Sequence, residues 1–120
     1  MSLVVKSQQE WDTLMKHEFT FVVDFTAKWC GPCRAIGPTF EALSKLPEYA
    51  SLAFLKVDVD LLPDVAQAAN VSAMPTFQVW RGGSAVAEMV GANKDKLVEL
   101  LEPFLFLSSP LTVGQEAAKK

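Results

Sequence analysis

A run of nine residues, FTFVVDFTA at positions 19–27, limits the folds open to this chain more than any other stretch. The run is rich in β-branched and aromatic residues and carries apolar side chains on both faces. Such a pattern is typical of a central strand in a sheet that is covered on both sides. Sheets of that kind are built from alternating strands and helices, so the run predicts an α/β fold.

The rest of the chain supplies the alternation that such a sheet needs. Further strands are predicted at positions 3–5, 51–60, 76–80 and 84–90, the last two joined by a Gly-Gly turn. Four helices are predicted, beginning near Ser7, after Cys30, at Pro63 and at Asn93. This order predicts a partly parallel, mixed five-stranded sheet flanked by four helices. We expect one domain over residues 1–107 and a flexible tail over 108–120.

Local signals set several helix boundaries in this prediction. Ser7, with Glu10 three residues later, has the pattern of a capping box, and Asn93 can cap the last helix. Apolar residues at helical spacing follow the cysteines, so the second helix is expected to continue its buried face as far as Leu46.

Composition is that of an ordinary globular protein. Half of the 120 residues are hydrophobic and 21% are charged, with a formal net charge of −3 at pH 7. A mildly acidic chain without a Lys/Arg-rich run is not expected to bind nucleic acid. The first residues show no secretory signal, and no apolar stretch approaches the roughly 20 residues that span a bilayer. We therefore expect a cytoplasmic protein that does not bind a membrane. We also expect it to be a monomer.

The chain has two cysteines, Cys30 and Cys33, within the sequence KWCGPCR. A structural zinc site needs about four ligands, and the one histidine, His17, is interpreted as a surface residue at a helix end. A structural disulfide across so short a loop removes little entropy from the unfolded chain. A redox couple needs only two neighbouring thiols, so the pattern favours thiol–disulfide chemistry without a metal.

The cysteines lie where a buried strand is followed by a helix. Free backbone N–H groups and the dipole at the helix N-terminus favour negative charge, which should lower the pKa of Cys30 and make it the better nucleophile. Cys33, about one turn further along, should be more buried and less ionised. Gly31 permits a tight turn and Pro32 fixes φ in the first helical turn, while Arg34 adds a small positive potential.

Three segments, VVDFTAKWCGPCR, SAMPTF and VGANKDKL, together resemble the thioredoxin family. The resemblance extends over about positions 3–107 and includes the tetrapeptide Cys-Gly-Pro-Cys, as in thioredoxins proper. It implies the thioredoxin fold and a protein-disulfide reductase that acts through a mixed disulfide and maintains redox homeostasis. A small polar residue at Thr26, and the SAMPTF segment, are similar to eukaryotic cytosolic thioredoxins.

The resemblance also implies roles for individual residues. Cys30 corresponds to the attacking cysteine and Cys33 to the resolving one, and the two form a disulfide when oxidised. Asp24 corresponds to a buried aspartate that assists proton transfer at the second cysteine, and burial in an apolar run should raise its pKa. Gly31 and Pro32 correspond to the dipeptide that tunes the redox couple.

Other correspondences concern the surroundings of the couple. Lys56 corresponds to a partly buried lysine near the aspartate that tunes the site, although it could instead extend its charged end to the surface. Pro75 corresponds to a cis-proline beside the active site, whereas most X–Pro bonds are trans. The surface on which the family's protein substrates dock corresponds to Trp29, Met74, Pro75, Gly91 and Ala92.

The implied partners are disulfide-containing protein substrates and an NADPH-dependent, flavin-containing thioredoxin reductase. The chain itself has no Gly-rich nucleotide loop and is expected to bind no cofactor. Two other functions stay open. A binding or chaperone module would keep its role in a double Cys→Ser variant. An oxidant or isomerase would differ in reduction potential, although Cys-Gly-Pro-Cys and the lack of a secretory signal count against it.

Overall fold

The computed structural model of the protein describes residues 1–107, so the predicted tail over 108–120 lies outside the described residues. The strands are β1 (Leu3–Val4), β2 (Thr20–Thr26), β3 (Leu52–Asp58), β4 (Thr76–Arg81) and β5 (Ser84–Val90). The helices are α1 (Gln8–Leu14), α2 (Gly31–Ser44), α3 (Pro63–Ala68) and α4 (Lys94–Leu107), with a short 3-10 helix at Pro47–Tyr49. The predicted order of strands and helices is confirmed, while the 3-10 helix was not predicted.

The strands form one five-stranded sheet in the order β1–β3–β2–β4–β5. β3 is parallel to β1 and β2, whereas β4 is antiparallel to β2 and to β5. β2 therefore lies at the centre, as its apolar sequence predicts, and its first six residues are buried. Phe25, near the end of β2, pairs with Thr76 at the start of β4. The cysteine segment after β2 and the loop before β4 thus lie at the same end of the sheet.

Helices cover the two faces of the sheet in pairs. On one face, Trp11 of α1 and Val65 of α3 pack with Phe25 of β2. On the other face, Phe40 of α2 packs with Phe77 of β4 and with residues of α4, and the two phenylalanine ring centroids are 5.8 Å apart. The two cysteines belong to neither core. They form a third, smaller buried cluster at the end of the sheet.

The predicted caps of the first and last helices are confirmed. The Ser7 side chain accepts the backbone N–H of Glu10 at 3.0 Å. The Asn93 side chain accepts the backbone N–H of Lys96 at 2.9 Å. The Glu10 carboxylate completes the first cap by accepting the N–H of Lys6, one residue before the cap, at 2.6 Å. Each cap satisfies backbone donors that the first helical turn leaves without partners.

The prediction that Leu46 extends the buried face of α2 is wrong. The helix ends at Ser44, and Leu46 has an extended backbone, with φ −76° and ψ 140°. Its side chain is 40% exposed. The cause is Pro47, because a proline ring disfavours the helical conformation of the residue before it. Phe19, predicted in the central strand, precedes β2 and is also exposed.

Candidate active site

Cys30 is the N-cap residue of α2, at the junction that follows β2. Its backbone is extended, with φ −89° and ψ 110°, and its sulfur accepts the N–H of Cys33 at 3.1 Å. Gly31 and Pro32 form the start of the helix, where a missing proline N–H leaves no partner unsatisfied. A sulfur in this position receives a backbone hydrogen bond and the field of the helix N-terminus. Both favour a thiolate over a thiol.

Cys30 and Cys33 are joined by a disulfide, with their Cα atoms 5.3 Å apart. Each residue is 4% exposed, so the prediction that Cys33 is the more buried of the two is wrong for this oxidised state. The bond draws both residues into one small cluster with Ala27, against which Val59 and Met74 pack. The pair is thus held between the end of β2 and the loop before β4.

Asp24 lies in the middle of β2, and 1% of its surface is exposed. Within residues 1–107, no hydrogen-bond partner reaches its buried Oδ1 atom. Its neighbour in the parallel register is Lys56 of β3. Burial raises the pKa of Asp24 from 3.8 to about 7, and the charge of Lys56 opposes part of that rise. The carboxyl group therefore exchanges its proton near neutral pH.

A groove of about 620 Å³ opens between the first turns of α2 and the ends of β2 and β3. Cys33 and Lys56 both line it, together with Thr26. Asp24 precedes Thr26 by two residues on the same strand, so the two side chains lie on the same face of the sheet. The groove therefore opens beside Cys33 and Lys56 on the face of the sheet from which the Asp24 side chain projects.

The loop between α3 and β4 also reaches the couple. Its Met74–Pro75 peptide bond is cis, and the Met74 carbonyl oxygen lies 3.5 Å from Cys30 Sγ. Gly91, directly after β5, donates its N–H to the Pro75 carbonyl at 2.9 Å. Its φ of 112° is a conformation that favours glycine. Ala92 follows at the surface, so these four predicted docking residues lie in two adjoining segments beside Cys30.

Trp29 precedes Cys30, and its side chain is 64% exposed. The indole N–H donates to Asp60 Oδ2 at 2.8 Å, so the ring is held by the loop after β3. Two further apolar side chains, Leu61 and Val90, are 67% and 58% exposed. Leu61 follows Asp60 and Val90 precedes Gly91 in the chain, and none of Asp60, Leu61 and Val90 was singled out from the sequence. Leu61 lies within the segment DVDLLPD, whose polar and proline residues indicate a turn. That position was the available sign that its apolar side chain would be exposed.

Two other residues considered from the sequence, Arg34 and His17, make local contacts. The Arg34 guanidinium donates to the Lys28 carbonyl at 2.5 Å. His17 is exposed, as predicted, and its ring lies 5.9 Å from that of Phe19. Residues 1–107 contain no group of three or more His, Cys, Asp or Glu side chains placed to hold a metal ion. No helix in this described part is long and apolar enough to cross a membrane.

Comparison with known proteins identifies a family. The family model Thioredoxin matches residues 2–103. Thioredoxin 1 of Plasmodium falciparum (isolate 3D7) is 41% identical over 104 residues, which cover 87% of this chain and 98% of that protein. An H-type thioredoxin of Chlamydomonas reinhardtii is 48% identical over 104 residues, which cover 82% of this chain and 90% of that protein.

Solved structures agree. The thioredoxin of Malassezia sympodialis superposes with a TM-score of 0.83 at 35% identity, covering 88% of this chain and 91% of that one. A Plasmodium falciparum thioredoxin superposes with a TM-score of 0.80 at 42% identity, covering 84% of this chain and 97% of that one. The predicted thioredoxin fold is thereby confirmed. With a bonded cysteine pair at the N-terminus of α2 and this likeness over nearly all of its described length, the chain belongs to the thioredoxin family of thiol–disulfide oxidoreductases.

Proposed function

We propose that this thiol–disulfide reductase uses Cys30 as its nucleophile and Cys33 as its resolving thiol. The Cys30 thiolate attacks one sulfur of a protein disulfide, the substrate S–S bond breaks, and one substrate thiolate leaves. The Cys33 thiolate then attacks Cys30 Sγ, which closes the Cys30–Cys33 disulfide and releases the second substrate thiolate. The substrate gains the two electrons that the dithiol loses, and its two thiolates take up protons. The observation that carries this proposal is the Cys30 sulfur at the helix N-terminus, accepting the N–H of Cys33.

In this scheme Asp24 accepts the proton that Cys33 must lose before it attacks. A carboxyl group with a pKa of about 7 suits this task, because near neutral pH it is partly ionised and still basic. Its Oδ1 atom has no partner in the described chain. The charge of Lys56 limits how far the pKa of Asp24 rises, so we assign Lys56 a tuning role. Gly31 and Pro32 tune the couple through the shape of the first helical turn.

Protein substrates dock, in this proposal, on the surface around the couple. A substrate in extended form binds across the strip around Met74 and Pro75 and pairs with backbone groups there, and the Met74 carbonyl lies close to Cys30 Sγ. Trp29 contributes exposed apolar area on one segment, and Gly91 and Ala92 contribute a side-chain-poor stretch on another. Backbone pairing does not depend on substrate side chains, so we expect many different protein disulfides to be accepted.

We further propose that electrons reach the couple from NADPH through a flavin-containing thioredoxin reductase, and that the chain itself binds no cofactor. Both cysteines belong to the couple, which leaves none for structural disulfides. Such cysteine use suits a reducing compartment, and we place the protein in the cytoplasm. We assign it as a monomer that meets its reductase and its substrates in turn.

The test is NADPH consumption with thioredoxin reductase and insulin as the disulfide substrate. The intact chain is compared with Cys30→Ser and with Cys33→Ser. Consumption should be rapid with the intact chain and absent with both variants. Cys33→Ser should also form a covalent adduct with insulin that dithiothreitol releases, because the attacking thiol remains while the resolving thiol is lost. The Cys30→Ser variant should form no such adduct.

The outcomes separate the parts of the proposal. Turnover retained by Cys30→Ser would remove that residue as the nucleophile. If NADPH is not consumed while dithiothreitol drives insulin reduction, the reductase activity stands and the electron donor is a different system. If both assays are silent while a double Cys→Ser variant keeps its protein partners, a binding module is the better description. A measured reduction potential distinguishes a reductase from an oxidant or isomerase.

A further inference from the structure

The loop that carries Met74 and Pro75 joins α3 to β4. Two polar side chains of β4, Thr76 and Gln78, are turned toward its backbone, and they are only 1% and 2% exposed. They stand two residues apart, so both lie on the same face of the strand. Buried polar groups need hydrogen-bond partners, and each of these two side chains donates to one carbonyl of this loop. The proposed reaction gives neither residue a role.

Thr76 bonds to the loop immediately before Met74. Its hydroxyl donates to the Ala73 carbonyl at 2.6 Å. The carbonyl of the proline that follows Met74 is also occupied, by the N–H of Gly91 at 2.9 Å. The carbonyl groups of Ala73 and Pro75, the residues before and after Met74, are therefore both hydrogen-bonded. The Met74 carbonyl between them lies 3.5 Å from Cys30 Sγ.

Gln78 holds the base of the same loop. Its amide N–H₂ donates to the Ala69 carbonyl at 3.0 Å and to the Glu88 carboxylate at 2.9 Å. Its amide oxygen accepts the indole N–H of Trp80 at 2.7 Å. The base is thus tied into a network on β4 and β5, and the part next to Met74 depends on Thr76. Losing the hydroxyl of Thr76 would leave the Ala73 carbonyl without this donor.

We propose that Thr76 is a positioning residue for disulfide exchange with protein substrates. Its hydroxyl holds the Ala73 carbonyl and so sets the backbone of Met74, against which an extended substrate pairs. Thr76 acts through the loop and does not touch the reacting sulfurs. The inference rests on the proposed function, because it concerns the docking of a protein disulfide. A small disulfide that reaches Cys30 without backbone pairing should not depend on the hydroxyl.

The test uses Thr76→Val, which removes the hydroxyl and keeps the shape of the side chain. We expect kcat/KM for insulin to fall about fivefold, mainly through a higher KM, which corresponds to one ordinary hydrogen bond. Thr76→Ser keeps the hydroxyl and should restore most of the loss. Both reduced variants should react with the small aromatic disulfide dithiobisnitrobenzoate at the rate of the intact chain.

The matched control is Thr20→Val. Thr20 is also a buried strand threonine, 3% exposed, but it pairs with Leu52 at the opposite end of β2 from Cys30. The Thr20→Val variant should have the same kcat/KM as the intact chain, both for insulin and for the small disulfide. A loss of insulin turnover equal to that of Thr76→Val would mean that any buried hydroxyl matters, and the proposal would be wrong.

Other results also decide the question. An insulin KM for Thr76→Val equal to that of the intact chain overturns the proposal, as does an equal loss toward the small disulfide. Should Thr76→Val fail to fold, Thr76→Ser is compared with Thr76→Ala. The serine variant should then be the better insulin reductase by a similar factor, and equal values overturn the proposal. If the intact chain does not reduce insulin, the proposed function itself fails, and this inference fails with it.

Discussion

Two aspartates on neighbouring strands show how position decides what a carboxyl group can do. Asp24 lies inside β2, and no residue of the described chain bonds to its Oδ1 atom. Asp58 ends β3, where the chain turns and the N–H groups of Asp60 and Leu61 reach its Oδ1 atom at 2.8 and 3.3 Å. The first carboxyl group is left available for proton exchange. The second is used to build a turn.

The two aspartates differ because backbone N–H groups are available to one carboxyl group and not to the other. Inside a sheet, backbone N–H groups bond to neighbouring strands and none is left for a side chain. The buried carboxyl group loses its contact with water, and this effect outweighs the opposing charge of Lys56 and raises the pKa of Asp24 to about 7. At a strand end the N–H groups are free, and an aspartate can bond to the backbone two residues on. Burial in a central strand can therefore raise the pKa of a carboxyl group toward neutral pH.

The largest effect that this comparison predicts is on stability. The pKa of Asp24 is about 7 in the folded protein against 3.8 ordinarily, so the folded state binds the proton more tightly than the unfolded state. Stability therefore falls as pH rises through this interval, by about 4 kcal/mol in total. Asp24→Asn carries no charge at any pH. It should match the intact chain near pH 4 and exceed it by about 4 kcal/mol near pH 8 in urea unfolding.

Asp58→Asn is the control for that experiment, since its amide oxygen can accept the same two N–H groups. The gap in unfolding free energy between Asp24→Asn and the intact chain should open between about pH 4 and pH 7. A gap of the same size and pH dependence in Asp58→Asn would contradict the contrast between the two positions. So would the absence of any gap in Asp24→Asn.

The next effect is on turnover. Asp24→Asn removes the proposed proton acceptor for Cys33 and should slow insulin reduction near pH 7 at least about tenfold. The reaction of Cys30 with a small disulfide, followed as a single exchange step, should change much less. Turnover equal to that of the intact chain would mean that the Cys33 proton leaves by a route that does not involve Asp24.

A smaller effect concerns the turn after β3. Asp58→Ala removes the acceptor for two backbone N–H groups and should lower the unfolding free energy by about 1 kcal/mol. Asp58→Asn should lose less than half of that amount because its side chain still has an acceptor. Urea unfolding near neutral pH measures both. Equal losses in the two variants would show that the carboxylate charge, and not its hydrogen bonds, supports the turn.

The smallest effect is at Trp29. Asp60→Ala removes the acceptor of an exposed indole N–H and should cost about 0.5 kcal/mol of stability. The sensitive measurement is the NMR signal of the indole N–H, which should shift and exchange faster with water. In Asp60→Asn, which keeps an acceptor oxygen, the shift and exchange rate of this signal should lie between those of the intact chain and of Asp60→Ala. An unchanged indole signal in Asp60→Ala would show that the bond is not formed in solution.

The fold was predictable where the signal lies within a short stretch of sequence. The composition of β2 marked a central strand, and Ser7 and Asn93 marked two helix starts because a cap bonds within one turn. The end of α2 was missed because apolar spacing continues past the residue where Pro47 stops the helix. The equal burial of Cys30 and Cys33 was also missed, because it depends on Met74, which is distant in the sequence and packs against the cluster that contains both residues.

The site was predictable mainly through the family resemblance around the cysteines. Spacing alone favoured a redox couple and placed Cys30 at a helix start. Contacts between distant segments had no signal in the sequence: Trp29 and Asp60 are 31 residues apart. Thr76 and Gln78 looked like ordinary strand residues, because a buried polar side chain is recognisable only once its partner is in place.

The disulfide closes between positions three apart, within one turn of α2. A cross-link over so short a loop restricts the unfolded chain very little, and two apolar cores elsewhere hold the sheet and helices together. We therefore expect the oxidised and reduced forms to share one scaffold. The bond that the proposed reaction makes and breaks is thus one on which the packing of these two cores does not depend.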